Sequence, residues 1–197
     1  LETLAKAGEA DVNLVVSSVG IPVANVLKGK FGTPFLVGTP VDGYVGKISD
    51  ALAEMAEKVT GKCRISEENP DLWKVTPDQV IYISTEPVQP DITVIGEPVT
   101  MGSLAAAIEY KYEKKVQLLC PLEITEGLLR EGDQAIRGEE AMEERLKTAK
   151  IIIADPLYRP ICPETARFYE LPHIAFSGRI YLRKIKEMYA HNLIKTT

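Results

Sequence analysis

Two cysteines and two acidic turns hold most of the chemistry this sequence can offer. Cys120 and Cys162 each follow an apolar run that reads as a strand, so a parallel sheet would bring both thiols to one edge. Thiolates in that position suit a soft metal ion or an iron-sulfur cluster, which makes Cys120 and Cys162 the candidate metal ligands. They read equally as small buried residues at strand ends, because free cysteine is commonly buried and inert. Cys63 lies in a proline-rich connector and reads as structural or merely exposed.

Open parallel sheets bind ligands beyond the carboxyl ends of their strands, where the strand order reverses. The loops Gly96 to Ser103 and Asp155 to Pro163 would flank such a crevice, which nominates Gly96, Glu97, Met101, Gly102, Ser103, Asp155 and Arg159 as cofactor-binding residues. Arg159 could clasp a ligand carboxylate with two parallel hydrogen bonds, or form an ion pair with Asp155 inside its own loop. Helix-start amides after Ser18-Val19-Gly20 and after Met101-Gly102-Ser103 could hold a phosphate or carboxylate, adding Ser18 and Gly20 to the candidates. Neither stretch matches GxGxxG or a P-loop, and an ordinarily capped helix is the simpler reading. His173 and His191 have no recognisable nucleophile or carboxylate partner and read as structural. Glu139, Glu140, Glu143 and Glu144 form a solvated helix face, and no Ser-His-Asp, HExxH or CxxC signature occurs.

The elements that must position these residues are plainest between Lys150 and Gly178. Ile151 to Ala154 stops at Asp155-Pro156, as a strand buried on both faces does. The spacing then predicts a short helix over Pro163 to Tyr169 and a second strand over His173 to Phe176. Upstream, Ile92 to Ile95 is a strand, Gly96-Glu97-Pro98 its turn, and Met101, Leu104, Ala105, Ile108 and Tyr112 share one helix face. Val116 to Leu119 is the next strand, Leu122 to Thr148 gives two helical stretches broken near Gly132 and Gly138, and Ile180 to Leu193 is a last helix. Residues 91–197 thus predict a four-stranded, right-handed, doubly wound parallel domain of Rossmann-like type.

Residues 1–90 predict a partial copy of the same architecture. Leu1 to Ala10 reads as a helix and Asn13 to Val16 as a strand; Pro22 opens a helix that Gly32 stops; Pro34 to Val37 is a strand, and a helix carries Ile48, Leu52, Met55, Ala56 and Val59. The segment from Gly61 to Pro90, with five acidic residues, four prolines and Trp73, reads as a connector holding one strand, Val80 to Ile83, with the boundary near Pro87 to Pro90. The expected class is therefore α/β, two Rossmann-like doubly wound parallel-sheet domains with the first incomplete.

Composition bounds the function further. The 197 residues are 45% apolar and 26% charged, enough to bury one good core or two small ones. A net charge of -5 argues against a nucleic-acid or anionic-membrane surface. No apolar run approaches the roughly 18 residues a spanning helix needs. Three cysteines, an odd number without a CxxC pair, fit a reducing compartment, and a cytoplasmic protein is expected. The chain opens on Leu1 rather than methionine, which fits a natural chain that begins further upstream.

The run NLVVSSVGIPVANVLKGKFGTPFLVGTPVDG, followed by a helix ending in Thr-Gly, resembles the middle of nitrogenase component 1 type subunits. The later pieces DITVIGEPVTMGSLAAAI, AKIIIADPLYRPI and ELPHIAFSGR resemble the last Rossmann-like domain of that family, and the order and spacing of the pieces carry the likeness. Most of the chain is covered, as the last two of three family domains. The resemblance implies an oxidoreductase component that holds an iron-sulfur or other metal cluster, or a tetrapyrrole. It also implies electrons from a nitrogenase-reductase-like iron protein and pairing with a homologous subunit or a second copy. The family's cofactor cysteine falls on Ala24, and its cofactor histidine falls near Ser177, with His173 displaced from that place. Alanine cannot ligate iron, so nitrogen fixation itself is not expected. A non-catalytic scaffold for a metal cofactor or tetrapyrrole precursor, and a plain small-anion-binding domain, remain as alternatives.

Overall fold

In a computed structural model the described residues are 6–41, 43–60, 90–124, 127–173 and 176–181. They form a mixed α/β structure with two parallel sheets. In the smaller sheet, β1 (Asn13–Val15) pairs in parallel with β2 (Phe35–Val37). The helix between them, α1 (Ile21–Phe31), starts with Pro22 in its first turn and ends on Gly32 at φ 73°, whose amide donates to the Lys28 carbonyl. A second helix, α2 (Val45–Thr60), follows β2.

The larger sheet has five parallel strands in the order β5-β4-β3-β6-β7. These are β3 (Ile92–Ile95), β4 (Val116–Cys120), β5 (Gln134–Ala135), β6 (Ile151–Ala154) and β7 (Arg167–Glu170). From β3 the chain moves outward through β4 and β5, then returns to the other side of β3 for β6 and β7. The strand order therefore reverses at β3, and the loops leaving β3 and β6 lie side by side there. Alternate residues feed two cores. Val94, Leu118 and Ile153 pack with Met101, Leu104 and Ile108 of α3 (Pro98–Tyr112), while Ile95, Leu119 and Ile152 pack with Met142 and Leu146 of α4 (Glu139–Leu146). This two-sided cover is why β6 is a continuous apolar run and β3 is apolar but for Thr93, buried along its whole length.

Helix α3 is buried from Pro98 through Ile108, on every face. One face joins the five-stranded sheet. Opposite, Val99 packs with Val15, Val37, Ile21 and Ala24, and Ala106 and Ala107 pack with Val41, Tyr44 and Ile48. The helix thus belongs to both cores, and its run of three alanines keeps it narrow enough to be covered on both sides. It ends at Glu113, a non-glycine residue at φ 52° whose amide reaches the Glu109 carbonyl.

Several expected elements differ. The large sheet has five strands rather than four, because the dipeptide β5, paired through Leu119 with Gln134 and Cys120 with Ala135, has no apolar run to announce it. The helix expected over Pro163 to Tyr169 is a turn followed by the strand β7. Phe168 and Tyr169 point to opposite cores, a period of two that defeats a helix. Where a strand was expected over His173 to Phe176, the described residues form none: His173 is irregular and a turn follows, the amides of Phe176, Ser177 and Gly178 all donating to the His173 carbonyl; residues 174 and 175 lie outside the described residues. Of the two helical stretches expected over Leu122 to Thr148, α4 is the one found among the described residues; Gly132 and Gly138 take positive φ and turn the chain, and residues 125 and 126 lie outside the described residues. Leu1 to Ala10 shows a single 3-10 turn, Ala7–Glu9, in its described part, and the last helix is described only as α5 (Gly178–Tyr181). Cys63, Trp73, the Val80 to Ile83 strand and His191 lie outside the described residues. No helix among those described is long and apolar enough to cross a membrane.

Candidate functional site

The carboxyl ends of β3, β4 and β6 bring Glu97, Cys120 and Asp155 to one edge. Gly96 makes the turn out of β3 at φ 156°, and a Cβ there would stand 2.7 Å from Met101 Cγ. Met101, 1% exposed, is therefore folded back under the turn as core rather than offered to a ligand. A Gly96→Ala substitution is expected to cost about 2 kcal/mol, from backbone strain and overpacking together, read as a lower urea midpoint with unchanged slope.

Glu97 caps α3. Its Oε2 accepts from the Thr100 amide at 2.8 Å, and its Oε1 accepts from the Ser18 amide at 2.7 Å, 79 residues away. The carboxylate is buried, and both of its partners are backbone donors of helix starts, where negative charge is favoured. Two residues expected from separate sites, Ser18 and Glu97, thus bind one another. Beside them the Ser103 hydroxyl donates to the Val99 carbonyl at 2.7 Å and accepts from the Thr39 amide at 2.9 Å. The Thr39 hydroxyl donates to the Val16 carbonyl at 2.8 Å and lies 3.3 Å from the Thr100 hydroxyl. Helix α3 therefore lies across the carboxyl edge of β1 and β2, where an open sheet of this class would take a ligand. Gly102 is buried inside that helix, and Gly20 stands where a Cβ would approach Val15 Cγ1 at 3.1 Å.

Asp155 organises the β6 edge in the same way. Its Oδ1 accepts from the Leu157 amide at 3.0 Å, and its Oδ2 accepts from the amides of His173 at 2.8 Å and Ser177 at 3.3 Å. No ion pair with Arg159 forms; the exposed Arg159 guanidinium lies 5.2 Å from the centre of the Phe168 ring instead. Over the edge, the Phe176 ring meets Tyr158 and His173 edge-on, at centroid distances of 6.2 Å and 5.5 Å. The Ser177 hydroxyl is buried and makes no hydrogen bond with the described residues.

Burial sets the proton affinities. The Cys120 thiol is fully buried and pushed up, first by desolvation and then by the negative charges of Glu97 and Asp133. Burial likewise pushes Cys162 up to about 11, and its thiol donates to the Tyr158 carbonyl at 3.1 Å. Tyr158 is pushed up to about 12 by burial, with Asp155 and Cys120 adding to it. Burial thus disfavours the thiolate form of both in the metal-free protein, and a metal that bound them would have to displace their protons. Among the described residues, no three His, Cys, Asp or Glu side chains converge as a metal site. Cys120 and Cys162 are therefore not joined, among the described residues, by the further ligands that an iron-sulfur cluster takes.

Cys162 gives a stability signature with a defined sign. Its folded value lies above the ordinary 9.0, so the contribution is complete below pH 9 and is lost as pH rises towards 11, when the unfolded chain alone releases the proton. Melting temperature is expected to fall less steeply over that window in Cys162→Ser than in the parent; parallel curves would show that the thiol is not shielded.

No protein-family model matches the chain, and neither curated proteins nor solved structures give a match. The parallel edge was legible because strands, turn glycine and acidic residue are consecutive in sequence. Thr39 and Thr100 were missed: each follows a strand end closely, yet the hydrogen bonds that give them a role span 23 to 84 residues.

Proposed function

We propose that this chain is a nitrogenase component 1-like oxidoreductase subunit, or a portion of one, that receives electrons from a partner reductase and does not itself fix nitrogen. In this reading residues 1–90 and 91–197 are two Rossmann-like doubly wound units, the first partial, of a cytoplasmic protein. A homologous subunit or a second copy completes the assembly. The observation that carries the reading is the Gly96-Glu97-Pro98 turn. It leaves the central strand of an all-parallel sheet at the point of reversal and is tied by Glu97 to Ser18 of the preceding strand-helix unit. These are the segments on which the family resemblance rests, in the same order.

The chemistry such a subunit performs is electron transfer to a bound substrate through a cluster or tetrapyrrole. Among the described residues no set of three ligand side chains converges, and Ala24, 3% exposed in the core of the smaller sheet, holds the position where the resemblance would put a cofactor cysteine. The cofactor's ligands then come from a partner or from outside the described residues, and the role left to these residues is positional: Glu97 and Asp155 fix the loops that shape the edge.

One feature favours a second reading, a non-catalytic scaffold for a metal cofactor or tetrapyrrole. Both edge carboxylates accept from backbone amides and burial disfavours both thiolates, so the edge is built to hold shape rather than to react. The test is to purify the tagged chain from its own cells without oxygen, then measure iron, acid-labile sulfide and tetrapyrrole absorption before and after dithionite. A stoichiometric centre that bleaches on reduction supports the oxidoreductase. A centre that stays unreduced favours the scaffold, and a complex with neither iron nor tetrapyrrole sinks both.

A further inference from the structure

We draw no further inference here: the strongest candidate, the exposed apolar stripe of Val19, Val23 and Val26 along α1 and the turn before it, carries nothing because no feature of the structure shows what covers it.

Discussion

Asp155→Ala is expected to lower the unfolding free energy by about 4 kcal/mol, because it removes the acceptor of two amides at once and each buried donor left without its acceptor costs about 1–3 kcal/mol. The amides are those of Leu157 and His173, and the aspartate that serves them is 2% exposed; the Ser177 amide, 3.3 Å from the same carboxylate, keeps the His173 carbonyl at 3.1 Å. Against a typical total of about 5–15 kcal/mol this is a large share of the stability. Asp155→Asn keeps one acceptor oxygen and should lose roughly half as much, since its NH2 cannot accept what the second oxygen accepted. Urea denaturation followed by circular dichroism separates the three proteins. An alanine variant within about 1 kcal/mol of the parent would mean that water replaces the carboxylate at no penalty and that the edge is open.

Glu97→Ala is expected to cost a similar amount, about 4 kcal/mol, with a different distribution. It removes the cap of α3 and orphans the amides of Thr100, in α3, and of Ser18, in the turn after β1. Amide hydrogen exchange should therefore speed up at Ser18 as well as at Thr100. Glu97→Gln can accept from only one of the two. Faster exchange confined to Thr100 in the alanine variant would show that Ser18 is held by the surrounding apolar contacts of Val15, Ile21 and Val99 and not by the carboxylate.

These two residues also show where the sequence could be read and where it could not. Ile151 to Ala154 is apolar without interruption, and Ile92 to Ile95 broken only by the buried Thr93, because helices cover both faces of the sheet, so the strands announce themselves. Edge strands lack that cover. Gln134-Ala135 is two residues long, and Arg167 to Glu170 buries only its middle pair, so the first was missed and the second taken for the end of a helix. Glu97 was singled out as a loop acid next to a proline, which is also what a helix cap looks like, and Pro98 and Thr100 supply the rest of the local pattern. Its second oxygen has no local pattern. A partner 79 residues away is fixed by packing, and Ser18 was accordingly expected to meet a ligand rather than a side chain of its own chain. Arg159 failed for a related reason: the nearest acid in sequence, Asp155, is already saturated by amides, leaving the guanidinium to the aromatic face of Phe168.

The all-round burial of α3 has a consequence for how this protein can be taken apart. Leu14, Val15, Leu36 and Val37 of the smaller sheet find their cover on residues that lie beyond the connector in sequence. The covalent seam between the two units and the physical seam do not coincide, because the latter runs along a helix that each side needs. The five-stranded sheet fills its two cores from residues 92–171 alone, whereas the described part of the smaller sheet completes its core only on α3 and its surroundings, so the latter condenses onto the former. The short two-stranded sheet can gain its ordering energy only after the central helix of its neighbour has been synthesised, which makes its folding late and dependent on contacts distant in sequence.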